Sequence, residues 1–77
     1  MDRKEIKEYL IDMYACGPEV ETAHGLVGNF DDAGIEVREE DIQAACEELV
    51  ADGTLQHAGR KGFEATIEFM RERDLIL

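Results

Sequence analysis

Residues 35–69, IEVREEDIQAACEELVADGTLQHAGRKGFEATIEF, decide the fold that we predict for this chain. Apolar residues recur at helical spacing in the middle of the stretch, at Ile42, Ala45, Cys46, Leu49 and Val50. Three acidic residues precede them, where the partial positive charge of a helix N-terminus favours carboxylates. We therefore predict an amphipathic helix over residues 39–51, ended by Asp52 and Gly53, with a short strand at residues 35–37 before it.

A β-hairpin is predicted to follow this helix. Apolar and polar residues alternate as in a half-buried strand, the apolar ones being Phe63, Ala65, Ile67 and Phe69. Residues 54–58 supply the partner strand, and glycines flank Arg60 and Lys61 in the turn at residues 59–62. The alternative is a C-terminal helix over residues 63–74, because Glu, Ala, Met and Arg favour helices. We favour the strand, since that helix would leave Phe69 exposed.

A first helix is predicted over residues 4–14. Its apolar stripe has the spacing i, i+3, i+4 and i+7, formed by Ile6, Tyr9, Leu10 and Met13. Asp2 is placed to cap this helix, and Glu5 stands three residues later, which completes a pair resembling a capping box. Cys16 and Gly17 end the helix.

The second helix has a weaker pattern. Pro18 suits its first position, and helical spacing relates Val20, Ala23, Val27 and Phe30. Gly25 and Gly28 each cost about 1 kcal/mol relative to Ala inside a helix. Close packing against another helix would explain the two glycines, and a broken helix is the alternative.

The composition predicts one folded, acidic domain covering residues 1–77. Hydrophobic residues make up 44% of the chain, and 19 Asp and Glu against 8 Lys and Arg give a net charge of −11. Few lysines among dispersed carboxylates resemble the surfaces of proteins from halophilic archaea, where molar salt shortens the Debye length to ~3 Å. An acidic protein of ordinary solubility has the same composition, so both interpretations stay open.

We expect a cytoplasmic protein with no membrane partner. No apolar run approaches the roughly 20 residues that span a bilayer, and residues 1–5 lack the apolar core of a signal peptide. Cys16 and Cys46 have no Cys-x-x-Cys spacing, and cysteines of cytosolic proteins are normally reduced. Both are expected to act as small hydrophobic residues.

The chain resembles the winged helix-turn-helix family. The phrase that carries the resemblance is IQAACEELVADGTL, residues 42–55, which is similar to the end of a recognition helix running into the first wing strand. The resemblance implies an α+β fold of three helices and a β-hairpin wing, in the order helix, helix, strand, helix, strand, strand. It also implies that the helix over residues 39–51 lies in the major groove of DNA, with the wing tip on phosphates or the minor groove.

This family likeness implies a small non-enzymatic transcription regulator that binds double-stranded DNA through Arg38, Gln43, Arg60 and Lys61. Gln43 suits an adenine edge, and Arg38 suits a phosphate or a guanine. Arg60 and Lys61 stand at the wing tip, where the family places cations. Surface glutamines, arginines at helix starts and charged turn residues are also common in proteins that bind no nucleic acid.

The alternative is a protein-interaction module or adaptor that does not bind DNA. The predicted outward face of the helix over residues 39–51 is acidic, and carboxylates repel phosphates at low salt. A larger protein, or a second copy of the chain, would then contact Glu40, Ala44, Glu47 and Glu48. The apolar residues 75–77 are expected to fold back on the core or to meet such a partner.

Catalytic and metal chemistry are not expected. The chain has no serine and no glycine-rich phosphate loop, and its carboxylates fall on predicted helix surfaces where water keeps their pKa values alike. Four residues are candidate zinc ligands by type, namely Cys16, His24, Cys46 and His57. None of them is paired at the short spacing that structural zinc sites favour, so we predict neither a metal nor a cofactor.

Overall fold

Four helices and a three-stranded antiparallel sheet make up the α+β fold that the computed structural model describes for residues 1–17 and 19–74. In chain order these elements are α1 (Arg3–Cys16), β1 (Glu21–Thr22), α2 (Ala23–Asp32), α3 (Glu39–Ala51), β2 (Leu55–Ala58), β3 (Gly62–Ala65) and α4 (Ile67–Glu72). The sheet order is β1-β3-β2, so the last strand lies between the other two. Among the described helices, none has the length and apolar character needed to cross a lipid bilayer.

Helix α1 confirms the predicted capping box. The Asp2 carboxylate accepts a hydrogen bond from the backbone N–H of Glu5 at 2.9 Å, and the Glu5 carboxylate accepts one from the N–H of Asp2 at 3.2 Å. Two N–H groups that the first helical turn leaves unpaired are thus satisfied. The helix extends beyond the predicted residues 4–14 at both ends, and its buried residues are Ile6, Leu10 and Tyr14.

Helix α3 has the predicted bounds and the predicted core face. The four fully buried side chains on this face are Ile42, Ala45, Cys46 and Leu49, whereas Val50 is half-buried. Asp52 caps the helix, and Gly53 follows with a left-handed φ of 88°, which glycine adopts without steric cost. The strong apolar periodicity explains why the sequence located this helix correctly.

The predicted position of the first strand is wrong. Residues 35–37 form no strand; instead the N–H of Ile35 bonds the carbonyl oxygen of Phe30 at 2.8 Å, and the side chains of Ile35 and Val37 pack against the core. Their apolar character serves that packing. The first strand is β1, where Glu21 pairs with Phe63 of β3, so the strand lies before α2 rather than after it.

Helix α2 consequently begins at Ala23, later than predicted. The hydroxyl of Thr22 accepts a hydrogen bond from the N–H of Gly25 at 3.0 Å and fixes this start. Val20 lies before β1 with 52% of its surface exposed, so it is not part of the helical stripe. The predicted role of Pro18 as a first helical residue lies outside the described residues.

The glycines of α2 are not explained by close helix packing. No atom lies within 4 Å of the position that a Cβ would take at Gly28. At Gly25 the near atoms belong to the side chains of Glu21 and Thr22, which come from β1 and not from another helix. The helix is nevertheless continuous over its ten residues.

The second strand of the hairpin is shorter than predicted. It ends at Ala65, and α4 begins at Ile67. The predicted strand over residues 63–69 is therefore right for its first part, and the alternative helix over residues 63–74 is right for its later part. The Thr66 hydroxyl accepts a hydrogen bond from the N–H of Phe69 at 3.1 Å and donates one to the carbonyl oxygen of Gly53 at 2.7 Å. This cap turns the chain into a helix that buries Phe69 and leaves Ile67 52% exposed. The expectation for residues 75–77 lies outside the described residues.

One apolar core joins the helices to the hairpin. Its largest fully buried side chains come from α1, α2, α3, β2 and β3, and include Ile6, Leu10, Leu26, Phe30, Ile42, Leu49, Leu55 and Phe63. Burying one such side chain contributes about 1.5–3 kcal/mol. The core therefore holds the hairpin against α3, and the turn residues Gly59, Arg60 and Lys61 are exposed.

Candidate nucleic-acid interface

The outward surface of α3 is acidic. With Ile42, Ala45, Cys46 and Leu49 turned to the core, the exposed positions of the helix include Glu39, Glu40, Gln43 and Glu47, and Ala44 is half-buried. Glu40, Gln43 and Glu47 follow one another at i, i+3 and i+7, which places them in one row along the helix. We call this row the outer row of α3; it contains two carboxylates and one amide.

Arg38 lies at the N-terminal end of α3 with its side chain 75% exposed. Its Nε atom is 3.2 Å from an oxygen of Asp41 and 3.8 Å from an oxygen of Glu40. The guanidinium is therefore shared with carboxylates of its own helix. Exposed pairs of this kind stabilise a protein by about 0–1 kcal/mol, so a phosphate could displace them.

Glu48 turns away from the outer row and contacts α1. One of its oxygens lies 2.6 Å from Nη1 of Arg3, and the other lies 3.5 Å from Nζ of Lys7. The Arg3 hydrogen bond, with a smaller contribution from Lys7, holds the pKa of Glu48 below its ordinary value. Arg3 and Lys7 of α1 thus bind a carboxylate of α3.

Two histidines link α3 to its neighbours, which the sequence did not predict. Nδ1 of His24 in α2 is 2.9 Å from Oε1 of Glu39, and Nε2 of His57 in β2 is 3.3 Å from Oε1 of Glu47. Each histidine thus contacts a single carboxylate. Within residues 1–17 and 19–74, no three side chains of metal-binding type come together at a site that could hold an ion.

The hairpin turn presents Arg60 and Lys61 to solvent. Gly59 and Lys61, on either side of Arg60, have left-handed φ values of 61° and 62°. Of the salt bridges among the described residues, none involves Arg60 or Lys61. The turn therefore offers two cations whose charge is not neutralised by a neighbouring carboxylate.

Charge along the chain sets this hairpin apart. Residues 53–63 include no Asp or Glu, and this is the longest acid-free stretch in a chain of 19 acidic residues. The stretch covers β2, the turn and the start of β3, and its formal charge is +2 from Arg60 and Lys61. The absence of acidic residues over residues 53–63 is the sequence signal that could have identified this surface. It marks the surface more specifically than the two adjacent cations do.

Buried titratable groups have structural roles. Burial raises the pKa of the Cys46 thiol to about 12, so at neutral pH this group is a protonated packing side chain and not a nucleophile. Cys16 is exposed at the end of α1 and lines an open groove of about 410 Å³ together with Met13, Glu21 and Asn29. Every buried side-chain nitrogen and oxygen in the described part of the chain has a hydrogen-bond partner, so none is left to receive a ligand.

The structure brings the predicted DNA-binding residues to two neighbouring surfaces. Arg38 and Gln43 lie on α3, whereas Arg60 and Lys61 lie in the turn, and the contact between His57 and Glu47 joins β2 to the outer row. No family model, curated protein or solved structure matches the chain. Function must therefore be inferred from the geometry and charge of these two surfaces.

Proposed function

We propose that the chain is a small non-enzymatic winged helix-turn-helix protein that binds double-stranded DNA and acts as a transcription regulator. In this proposal α2 and α3 form the helix-turn-helix, and β2, β3 and the turn between them form the wing. The α+β architecture supports it, with an antiparallel hairpin directly after α3, although β1 lies before α2 and a fourth helix follows β3. The observation that carries the proposal is the exposed turn in an acid-free stretch, whose two cations, Arg60 and Lys61, are in no salt bridge among the described residues.

The proposal assigns distinct contacts to the four candidate residues. Arg60 and Lys61 bind phosphates from the turn, and Gln43 is the one residue of the outer row with both a donor and an acceptor for a base edge. Arg38 reaches a phosphate or a guanine after it leaves Asp41 and Glu40. Because those pairs are exposed, their loss is a small penalty.

Salt dependence follows from the small number of cations. Each phosphate that a cation neutralises contributes about −0.9 to the slope of log K against log salt concentration. Two or three such contacts give a slope of roughly −2 to −3. Glu40 and Glu47 reduce the steepness further, because added salt screens their repulsion from the duplex. A slope of this size lowers the affinity by about 10²- to 10³-fold between about 0.1 M and about 1 M KCl, and by less to the extent that salt screens Glu40 and Glu47.

The test is fluorescence anisotropy of a labelled duplex titrated with protein at about 0.1 M and about 1 M KCl, two salt levels that differ roughly threefold in Debye length. Replacing both Arg60 and Lys61 with Ala should reduce the affinity about tenfold or more and flatten the salt slope by about 2. The matched control replaces Lys4 and Arg71 with Ala, which removes the same charge from exposed positions on α1 and α4. Equal losses in the two double variants would show that net charge, and not the turn, determines binding.

A second candidate function is binding to a basic protein surface through the outer row of α3. The observation that favours it is the acidity of that row, since Glu40 and Glu47 flank Gln43 and the half-buried Ala44. Replacing Glu40 and Glu47 with Lys should then abolish capture of the partner, whereas the same change should strengthen DNA binding if DNA is the ligand. Glu48 was an expected member of this surface, but its contacts with Arg3 and Lys7 make it a poor probe, because its loss would also affect stability.

A further inference from the structure

We infer that the hairpin turn makes the primary contact with DNA, that its ligand is the phosphate backbone, and that the base contacts assigned to Gln43 and Arg38 add little to the affinity. This inference rests on the proposed function and specifies the part of the duplex that is bound. It predicts a protein that binds DNA with little regard to sequence.

The turn and the outer row of α3 differ in charge. The turn lies within the acid-free residues 53–63, so a phosphate approaching Arg60 and Lys61 meets no carboxylate from the turn itself. A phosphate approaching the outer row of α3 meets Glu40 and Glu47 on either side of Gln43. Because phosphates line both walls of the major groove, insertion of α3 would bring like charges together along the whole row.

Three other cations pair with carboxylates of α3. Arg38 is shared between Asp41 and Glu40, and Arg3 and Lys7 are bound to Glu48 on the side of α3 that faces α1. These cations neutralise the helix's own carboxylates. Of the cations that the hairpin and the N-terminal end of α3 carry in the described chain, Arg60 and Lys61 are in no salt bridge, whereas Arg38 is paired.

Lys61 has a backbone conformation that is uncommon for a residue with a side chain. Its φ of 62° is a left-handed conformation that glycine adopts freely and that a side chain with a Cβ adopts at a cost. The turn holds Lys61 in this conformation at an exposed position. Here that side chain is an ammonium group next to a guanidinium, which is suited to phosphate oxygens.

Binding to the phosphate backbone of DNA limits sequence specificity. Contacts to phosphate fix the position of a protein on the duplex and carry no direct information about base sequence. Base reading would have to come from Gln43, or from Arg38 released from its carboxylates. If the turn is the primary contact, affinity should be nearly the same for duplexes of unrelated sequence.

The experiment compares two short duplexes of unrelated sequence, using anisotropy titrations at about 0.1 M KCl, where repulsion is only partly screened. The variants are Lys61→Gly, Lys61→Gly combined with Arg60→Ala, and Gln43→Ala. Lys61→Gly removes a charge, and glycine adopts the left-handed φ of this position without steric cost. The melting temperature of the variant should therefore not fall, so that weaker DNA binding cannot be explained by unfolding. We expect both turn variants to bind more weakly, with salt slopes reduced by about 1 and about 2. Gln43→Ala should bind both duplexes as the unchanged protein does.

The outcomes separate this inference from the proposed function. The inference would be overturned if the turn variants kept their affinity while Gln43→Ala lost affinity for DNA, or while the protein strongly preferred one duplex. The proposed function, DNA binding, would then still stand. Failure of the unchanged protein to bind either duplex, at about 0.1 M or about 1 M KCl, would overturn both.

Discussion

The hydroxyl of Tyr14 on α1 donates a hydrogen bond to the carbonyl oxygen of Phe63 on β3, at 3.0 Å in the protein interior. Burial raises the pKa of this hydroxyl above its ordinary value, so it remains a donor throughout the neutral range. The bond connects the first helix to the central strand of the sheet, 49 residues later in the chain. It thereby fixes the base of the hairpin whose turn we propose as the DNA contact.

Replacing Tyr14 with Phe should lower the free energy of unfolding by about 1–3 kcal/mol, because the Phe63 carbonyl is then buried without this partner. Urea denaturation measures the difference. Tyr9→Phe is the matched control: the Tyr9 ring packs against Phe30 with ring centroids 4.5 Å apart and an interplanar angle of 37°, and in the described chain its hydroxyl donates no hydrogen bond. Equal effects of the two substitutions would contradict the role of the Tyr14 bond.

Gly62 should not tolerate a side chain. A Cβ at this position would lie 2.5 Å from the carbonyl oxygen of Ala58 and 2.9 Å from Cγ1 of Val20. Since the Ala58 oxygen belongs to the paired strand β2, the hairpin itself would have to shift. We expect Gly62→Ala to destabilise the protein by about 1–3 kcal/mol, the usual penalty for overpacking. An unchanged midpoint of urea denaturation would show that β2 and β3 are not paired as described.

Gly28→Ala should have the opposite effect. The position lies inside α2, and no atom stands within 4 Å of where the Cβ would be. Alanine has a higher helix propensity than glycine, so the substitution should stabilise the fold by about 1 kcal/mol. Thermal unfolding followed by circular dichroism measures the gain. A lower melting temperature would mean that Gly28 is required for packing, as the sequence first suggested.

The contact of Glu48 with Arg3 and Lys7 predicts a pH dependence. The pKa of Glu48 is lower in the folded state than in the unfolded state, chiefly because of the Arg3 hydrogen bond. A depressed pKa stabilises the fold above the unfolded value of about 4.3, and this contribution disappears as pH falls through the folded value. Glu48→Gln should therefore lose less stability than the unchanged protein on acidification below about pH 4.3.

Denaturation midpoints measured across the acidic range test this difference. About 1 M KCl serves as the control, because salt screens exposed pairs and should bring the two proteins closer together. Parallel pH profiles at low salt would mean that the α1–α3 contact does not contribute in solution.

The sequence predicted long, periodic elements and missed those that depend on distant partners. α1 and α3 have apolar stripes of their own, and the cap formed by Asp2 and Glu5 is local. β1 contains only Glu21 and Thr22, which have no apolar alternation and form a strand because β3 lies beside them. Its sequence alone could not have revealed it.

The end of the hairpin shows a different limit. From Phe63 to Phe69 the residues fit both a strand and a helix, and the hydroxyl of Thr66 decides between them by capping α4 and bonding the Gly53 carbonyl. That choice depends on where the loop after α3 lies. The candidate site also has one local feature and one that depends on packing. The exposed turn was predictable from its glycines, whereas the direction of Glu48 toward α1 could not be predicted without knowing how the two helices pack.

The most direct test of the account is an NMR titration of isotope-labelled protein with a DNA duplex at about 0.1 M KCl, where the turn's cations remain effective at short range. We predict that backbone amide shifts concentrate at Gly59, Arg60, Lys61 and Gly62, with little change at Glu40 and Glu47. Absence of shifts, or shifts confined to the outer row of α3, would contradict the claim that this protein contacts DNA through its hairpin turn.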